Sequence, residues 1–427
     1  MTKIGLTLMA GKLSPIGGFR LASAATMQRQ QPLSMIPPNP FDHRMRADPY
    51  PVYLFMRTVE PVHRSPVGYW ILTRYADCKA VLDDKRWSHD ADRILEPGRG
   101  ELDPVDPTVR LLRASALFSD PPEHARHLRP LEKAMKASMV ETEPRVQQVA
   151  NGLIKLMHEK GTGLDLIHDF AAPLSLVVLA DMIGVAASDR GNLQRWARGL
   201  AAGLDPTVRS TGVVNAGAAA AAFVEYLVDR IGARKSGPPG MLASLLDEPG
   251  RLTNWELIAN LTTFLVIGIE TTTNLIGNGM LALMRHPDQM KKLRENPAVI
   301  KTGLEELARF DGPIHLTARA ADQNVEVGGT TIKAGEQAIL LLAAANRDPA
   351  RFKDPDRLDL ARTPNPHLGY GGGVHACFAA PLARLIAGTA ISTLAAKPKG
   401  IELSADPAWH NSVTVRGLSK LPVTLKK

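Results

Sequence analysis

The sequence predicts a mainly α protein, built as a single large helical domain with small β-sheets. Two observations carry this prediction. Helical patterns dominate from residue 121 to residue 311, whereas strand signals are short. The segment 61–74 is typical of two short strands around a Pro/Gly turn, and the segment 325–332 alternates around two glycines, as a hairpin does.

The elements between these signals follow from local composition. A helix is predicted over 75–84, directly after the second short strand. The region 88–119 is irregular, with Pro and Gly among its leucines, and so long a loop inside a compact domain usually forms a binding lid. The Ala-rich segment 214–234 is predicted to be a helix, which a run of Gly and Pro then ends.

A long helix is predicted to begin at a capping box, in which Thr253 supplies a hydroxyl and Glu256 a carboxylate three residues later. It must end before Pro287, because the residue preceding a proline disfavours the helical conformation. Its segment 257–284 is apolar enough to pass a crude length test for a membrane span. Glu270 lies at the centre of that segment, however, and a charge at mid-bilayer is costly. We therefore expect the central buried helix of a soluble protein.

Charge and cysteine usage narrow the classes of function. The chain has 427 residues and a formal net charge of +8, half of which comes from the basic residues of the segment 1–34. No run of Lys and Arg is dense enough to indicate nucleic-acid binding. Two cysteines, Cys78 and Cys377, do not make a disulfide framework and indicate a reducing compartment, the cytoplasm. Residues 1–34 are predicted to be a disordered tail and residues 35–427 the folded domain.

The stretch HLGYGGGVHACFAAPLARL, residues 367–385, joins a glycine-rich loop to a predicted helix. Its three consecutive glycines let another body approach the backbone closely. Cys377 lies where the helix begins, and the positive end of a helix dipole favours a thiolate. A zinc site is disfavoured, because no second cysteine lies at metal-binding spacing. On these residues alone, a buried structural cysteine in a turn remains the alternative.

Residues 370–379 resemble the haem-binding loop of the cytochrome P-450 family. That loop has an aromatic residue seven positions before its cysteine, a glycine four before, a basic residue two before and a glycine two after. This chain has Tyr370, Gly373 and His375 at the first three positions, and Ala379 at the last. The resemblance implies a cytochrome P-450 fold over most of the chain and haem b as cofactor, with Cys377 as the ligand of its iron. It also implies that Tyr370, Gly371 and Gly268 contact the haem.

A second group of residues matches the family in order and spacing. Glu306 and Arg309 match its Glu-x-x-Arg pair, and a helix places residues three apart on one face. The segment Asp354-Pro-Asp-Arg357 resembles the one that supplies a third member, Arg357. In the family these three side chains form a buried charge network that holds the cysteine loop.

The long helix supplies another match. The stretch from Gly268 to Thr272 resembles the family's oxygen-activation motif, which implies a proton path through Thr271 and Glu270. The alternative is a threonine that bonds back to the carbonyl four residues earlier. Ile267 stands where a smaller residue is commoner, so we expect Ile267, together with Leu316 and the region 88–119, to line an apolar substrate pocket.

The carboxylates of a buried haem need charge-assisted donors. By resemblance these donors are His375, Arg319 and His124. The family's usual arginine four residues after the last histidine is Leu128 here, and Arg129 comes one position late. One contact to a haem carboxylate is therefore expected to be missing or altered.

The resemblance implies a haem-thiolate monooxygenase that inserts one oxygen atom from O2 into a hydrophobic small molecule. Electrons are expected from a ferredoxin and its reductase, with no membrane and no nucleic acid as partner. An acidic ferredoxin is expected to dock on a basic patch on the cysteine side. The residues of this patch are Arg126, His127, Arg129, Lys133 and Lys136. Two alternatives stay open: a haem-thiolate enzyme that uses peroxide or catalyses oxidative coupling, and a non-catalytic haem sensor.

Overall fold

The computed structural model describes residues 39–42, 45–95, 107–193, 195–197, 211–232, 240–248, 252–397 and 399–426. The predicted tail, residues 1–34, lies outside this set. Within the described residues the chain is mostly helical and carries small sheets of two to five strands. The prediction of a mainly α fold with small β-sheets is therefore confirmed.

The helices run through the whole described chain. In chain order they are α1 Tyr50–Val59, α2 Tyr75–Asp83, α3 Ala91–Leu95, α4 Pro107–Arg113, α5 Glu123–Lys160, α6 Ala172–Ile183, α7 Thr211–Gly232, α8 Met241–Leu246, α9 Asn254–Arg285, α10 Pro287–Glu295, α11 Ile300–Asp311, α12 Leu342–Ala345 and α13 Ala380–Ala396. The region 88–119 is less irregular than expected, because it contains α3 and α4; residues 96–106 lie outside the described set.

Helix α9 is the centre of the fold. The Thr253 hydroxyl accepts a hydrogen bond from the Glu256 N–H, and the Glu256 carboxylate accepts one from the Thr253 N–H, so the predicted capping box is present. The helix ends at Arg285, before Pro287. It packs against α6, α11 and α13, which cover its apolar sides. Among the described residues, no helix combines the length and hydropathy that a membrane crossing needs.

The strands are short and lie at the edges of the helical body. They are β1 Val62–Arg64, β2 Trp70–Leu72, β3 Trp87–Ser88, β4 Leu164–Asp165, β5 Thr317–Ala321, β6 Val325–Val327, β7 Thr330–Ile332, β8 Gln337–Leu340, β9 Gly400–Leu403, β10 Ala408–Trp409, β11 Leu418–Lys420 and β12 Pro422–Lys426. The two predicted hairpins are present as β1–β2 and β6–β7.

One sheet positions residues of the site. Its strand order is β1-β2-β8-β5-β3, and Arg319 lies in β5 opposite Ala338 of β8. Ser88 of β3 lies opposite Ala320, the residue after Arg319. His89 follows Ser88 directly, so this pairing brings two basic residues together that are 230 positions apart in the chain.

The main hydrophobic core surrounds α9. Its members include buried side chains from α6, α9, α13 and the π-helical turn Ile167–Ala171 that precedes α6, such as Leu179, Ile276, Ile391 and Phe170. Burying each large apolar side chain of this kind contributes about 1.5–3 kcal/mol. The core therefore fixes α9 and α13 firmly relative to each other, and these two helices carry the residues described next.

Candidate active site

The glycine-rich loop lies tightly against α2. Gly371 and Gly373 have φ angles of 74° and 63°, which other residues rarely adopt. A Cβ atom on Gly373 would lie 1.9 Å from the carbonyl oxygen of Leu82, so only glycine fits there. The N–H of Cys377 donates to the carbonyl oxygen of Tyr370 at 2.9 Å and closes the loop. The loop thus holds Cys377 in one position just before α13.

Groups around Cys377 have opposite effects on the pKa of its thiol. The residue keeps exposed surface, but the protein surrounding its sulfur raises the pKa of the thiol by desolvation. The backbone N–H groups of Ala379 and Ala380 and the Arg384 guanidinium act the other way and favour the thiolate. The thiol therefore has built-in support for negative charge, although burial alone would keep it protonated.

Glu306 and Arg309 form a buried ion pair on one face of α11, as expected. Arg309 donates from Nε and Nη2 to the two carboxylate oxygens at 2.7 and 2.8 Å, and the two residues are 0% and 1% exposed. The third member is Arg362, whose Nε donates to both oxygens of Glu306 at 3.1 and 3.0 Å. We call these three residues the Glu306 network.

The prediction of Arg357 as the third member is wrong. Arg357 is exposed, and only its backbone carbonyl takes part, accepting from Arg309 and Arg362. Both arginines lie in a segment without regular structure, five residues apart, so the spacing that identified Glu306 and Arg309 gave no way to choose between them. Only the course of this segment across α11 decides which guanidinium reaches Glu306.

The Glu306 network is connected to the cysteine loop. The backbone carbonyl of Asn346 accepts from Arg309 at 2.9 Å, and the side-chain oxygen of Asn346 accepts from the Leu368 N–H at 2.7 Å. Glu305 makes a second connection, because its carboxylate lies 3.1 Å from Nε2 of His367. Sequence reasoning missed these contacts, since no motif marks a side chain that bonds to a loop backbone.

The residues of α9 that resemble the oxygen-activation motif make the following contacts. The Thr271 hydroxyl donates to the carbonyl oxygen of Ile267 at 2.8 Å, which is the back-bonded arrangement named above as the alternative. A hydroxyl that donates in this way still offers lone pairs to a donor in front of it. Glu270 accepts a hydrogen bond from Nδ2 of Asn274 at 3.1 Å. A Cβ on Gly268 would meet Leu179 of α6 at 3.2 Å, so Gly268 also serves close helix packing.

Four basic side chains converge near the loop, and we call them the basic cluster. They are His89, His124, His375 and Arg319. The rings of His124 and His375 lie 4.3 Å apart, centroid to centroid, and those of His89 and His375 lie 5.0 Å apart. Burial, and then the neighbouring His375, lower the pKa of His124 to about 4. Burial likewise lowers the pKa of Arg319 to about 10. Sequence reasoning missed His89.

One carboxylate lies beside the basic cluster. Asp120 accepts hydrogen bonds from the Ser88 hydroxyl and from the His89 N–H, and it lies 3.8 Å from Nε2 of His375. Burial raises the pKa of Asp120, but these neighbours outweigh burial and hold it well below its usual value. Asp120 is thus ionised and already engaged with three partners.

Two expectations for α5 have clear outcomes. Leu128 is half-buried and Arg129 is exposed, so neither adds charge to the basic cluster.

The expected docking patch for an acidic partner carries less unpaired positive charge than its sequence indicated. Arg126 pairs with Glu123 and Glu256, Lys133 pairs with Glu248, and His127 is buried. Among the described residues, Arg129 and Lys136 have no acidic partner.

The two predicted pocket residues differ in surroundings. Ile267 is half-buried on α9, one turn before Thr271. Leu316 is buried in a small apolar cluster with Val52, Tyr53 and Met56 of α1. Their contact with a substrate stays a prediction.

These residues fit a haem. Arg319 is 4% exposed and has no carboxylate at ion-pair distance among the described residues, which is a costly arrangement for a cation unless an anion joins it. Both ring nitrogens of His375 are buried without a hydrogen-bond partner in the described chain. A bound haem would offer its carboxylates to these donors, and Cys377 would be the ligand of its iron. The cofactor implied by the resemblance therefore matches the donors present.

Comparison with known proteins gives a consistent result. The family model "Cytochrome P450" matches residues 229–395. The chain is 36% identical to the vitamin D(3) 25-hydroxylase of Pseudonocardia autotrophica, over 88% of this chain and 94% of that protein. A crystal structure of P450BioI in complex with an acyl carrier protein ligated to hexadec-9Z-enoic acid has a TM-score of 0.84 at 34% identity, covering 90% of this chain and 99% of that one.

A third comparison concerns a different reaction. The structure of CxnD, described as a cytochrome P450 enzyme for C–S bond formation in chuangxinmycin biosynthesis, has a TM-score of 0.79 at 29% identity, covering 89% of this chain and 96% of that one. Together with the matched loop, charge network and oxygen-activation motif, these likenesses show that the chain belongs to the cytochrome P450 family and is a P450 monooxygenase.

Proposed function

We propose that this monooxygenase inserts one atom of O2 into a hydrophobic small molecule, with haem b as cofactor and a ferredoxin with its reductase as electron source. The second oxygen atom leaves as water, so each turnover consumes two electrons and two protons. The observation that carries the proposal is the pair Glu270 and Thr271, half-buried on α9, which packs against the helix that follows Cys377. The free cysteines, Cys78 and Cys377, support a reducing compartment and hence the cytoplasm.

Thr271 and Glu270 of α9 would transfer protons to the site of oxygen reduction. A haem bound through Cys377 supplies the oxidising chemistry, and the thiolate favours O–O cleavage. The Thr271 hydroxyl donates to the carbonyl oxygen of Ile267, so its own oxygen can still accept a hydrogen bond from water. Oγ1 would take a proton from that water and release its own proton into the pocket, where the reduction of O2 consumes it. Asn274 orients the Glu270 carboxylate, which can take up the next proton from solvent.

The coupling of reductant to product tests this role. In the variant Thr271→Ala, about tenfold less product should form per reductant consumed, because without the hydroxyl proton most of the reducing equivalents are lost as peroxide. The matched control is Thr271→Ser, which keeps the hydroxyl and should stay near wild-type coupling. Product and NAD(P)H consumption are measured together, with peroxide assayed as the by-product. Unchanged coupling in Thr271→Ala would refute the proton role of the hydroxyl.

The proposed substrate class has support from the relatives. One is named for hydroxylation of vitamin D(3), and a structural neighbour is bound to a carrier protein bearing a fatty acyl chain. Ile267 adds an apolar side chain one turn before Thr271. Substrate binding is tested by titrating the ferric protein with sterols, terpenes, free fatty acids and acyl carrier protein. A low- to high-spin shift with one class names the substrate class, and a shift with polar metabolites alone would contradict the proposal.

The ferredoxin is proposed to approach the N-terminal half of α5. Arg129 and Lys136 are exposed there and have no acidic partner in the described chain, so they can attract an acidic protein. The double variant Arg129→Glu/Lys136→Glu should slow electron transfer from a ferredoxin about tenfold at low salt and less at high salt. Lys155→Glu, at the far end of the same helix, is the matched control. Equal rates in all three proteins would place docking elsewhere.

A second function is favoured by one observation. The structural neighbour CxnD is described as forming C–S bonds, which is oxidative coupling rather than oxygen insertion. An enzyme of this kind, or one driven by peroxide, would use the same Cys377. Turnover with peroxide but none with ferredoxin and its reductase would favour a peroxide-driven enzyme. Oxidised product without added oxygen, measured with ¹⁸O2, would favour coupling.

A further inference from the structure

His89 is held in place from two sides. It follows β3 and is 6% exposed. Its ring stacks on Phe118 with centroids 5.0 Å apart and planes 17° from parallel. Nδ1 lies 2.6 Å from the carbonyl oxygen of Leu117. A carbonyl only accepts, so Nδ1 must carry a proton and donate it. The orientation of the ring is thereby fixed, and Nε2 has no hydrogen-bond partner among the described residues.

The neighbours of His89 show what Nε2 could bind. The ring of His375 lies 5.0 Å away, and the positive charge of Arg319 is close enough to lower the pKa of His89 further after burial has lowered it. Of the charged and titratable side chains that act on His89, Arg319 and His375 are basic, and Asp120 is acidic. Asp120 already accepts hydrogen bonds from Ser88 and the His89 N–H and lies 3.8 Å from His375 Nε2. The surroundings of His89 therefore favour an additional anion.

Helix α5 does not supply a substitute donor. His124 lies on the face of α5 toward His375, and position 128, one turn later, shares that face. Leu128 fills this position with an apolar side chain, while Arg129 points to solvent. A carboxylate bound near His124 therefore gains no guanidinium from this helix. The further donors to this carboxylate must therefore come from the sheet, where Arg319 lies in β5 and His89 follows β3.

We propose that His89 is a binding residue for one carboxylate of the haem, with Nε2 donating to a carboxylate oxygen. This inference rests on haem b as the cofactor in the proposed function. A carboxylate beside Nε2 favours a proton on that nitrogen. The charge-assisted hydrogen bond that it accepts offsets the cost of burying an imidazolium. Phe118 and Leu117 preorient the ring, so little rotamer freedom is lost when the haem binds.

Haem loss from the holoprotein tests the proposal. His89→Phe keeps an aromatic ring to stack on Phe118 but has no donor. Transfer of haem to excess apomyoglobin should be about tenfold faster than in wild type or more, because the variant lacks a charge-assisted hydrogen bond to the haem carboxylate. His89→Gln retains an N–H donor and should lie between the two. His168→Phe, an exposed histidine paired with Asp165, is the control and should match wild type.

A second variant separates binding from misfolding. Leu128→Arg, added to His89→Phe, places a guanidinium one turn after His124 and should slow haem loss toward the wild-type rate. In resonance Raman spectra, His89→Phe should shift a carboxylate bending band of the haem. Wild-type haem loss and unshifted bands in His89→Phe would overturn the proposal for His89 alone. A wild-type protein that binds no haem would instead overturn the proposed function.

Discussion

The Glu306 network and the basic cluster are both buried and charged, but only the Glu306 network has its hydrogen-bonding groups satisfied by the chain itself. In the Glu306 network, two guanidinium groups, a backbone N–H and the Asn365 amide surround one carboxylate. The remaining N–H groups of Arg309 reach the carbonyls of Asn346 and Pro355. In the basic cluster, Arg319 donates only to a hydroxyl and to its neighbour's carbonyl. The ring nitrogens of His375 make no hydrogen bond, although Asp120 lies 3.8 Å from Nε2.

This difference separates a structural site from a binding site. Buried charge stabilises a fold only when every partner is present, and losing one partner of such a pair costs about 3–5 kcal/mol. A buried polar group without a partner calls for a specific explanation, and a bound ligand is one. The satisfied network therefore needs no ligand, whereas we propose that the unsatisfied donors of the basic cluster bind the haem.

Removing the sulfur ligand should affect haem binding and leave the Glu306 network intact. Cys377→Ser should abolish the thiolate-type spectrum of the reduced carbon monoxide complex, because a hydroxyl is a far weaker anionic ligand. Cys78→Ala is the control, since Cys78 is buried and burial raises the pKa of its thiol. Absorbance spectroscopy checks both variants. A thiolate spectrum that survives in Cys377→Ser would show that the ligand is misassigned.

Breaking the Glu306 network should lower stability whether or not haem is bound. Arg362→Ala should reduce the free energy of unfolding by about 3 kcal/mol, because it leaves part of the Glu306 charge buried and unpaired. Arg357→Ala should change it by less than about 0.5 kcal/mol, as exposed substitutions usually do. Urea denaturation followed by circular dichroism measures both. A reversed order would restore Arg357 as the third member.

Tyr370 lies in the cysteine loop and tests the cost of an unpaired buried hydroxyl. Its hydroxyl is buried without a hydrogen-bond partner in the described chain, so Tyr370→Phe should raise stability by about 1 kcal/mol. Tyr50→Phe is the matched opposite, because the Tyr50 hydroxyl donates to Asp311 at 2.7 Å, and its loss should lower stability by about 1–2 kcal/mol. Thermal unfolding compares them. Destabilisation by Tyr370→Phe would mean that the hydroxyl has a partner in the holoprotein.

The smallest effect concerns the stability in acid that Glu305, the residue before Glu306, contributes. Burial raises the pKa of Glu305, but hydrogen bonds from His367 and Arg384 outweigh it and lower the pKa to about 2. A depressed folded-state pKa contributes stability above the ordinary value of 4.5, which is lost as the pH falls toward about 2. Glu305→Gln should therefore be less stable than wild type at pH 6, with a gap that narrows below about pH 4.5. A gap independent of pH would contradict this linkage.

Several features could be predicted from the sequence because they depend on local spacing. The capping box at Thr253, the stop before Pro287, and the pairing of Glu306 with Arg309 all involve residues within one helical turn of each other. The glycine loop was predictable for the same reason, since the path of a few consecutive residues needs positive φ angles and a missing side chain. Short-range geometry of this kind is encoded in neighbouring residues.

The contacts that could not be predicted from the sequence join residues far apart in the chain. Arg362 rather than Arg357 reaches Glu306, Asn346 joins the network to the cysteine loop, and His89 meets Arg319 through the pairing of β3 with β5. In each case the sequence offers several equivalent side chains, and the packing of segments that have no periodic pattern of their own chooses one. The spacing of neighbouring residues was enough to predict the family and to propose Cys377 as the iron ligand, whereas the packing of distant segments decided which buried charged groups find partners within the chain.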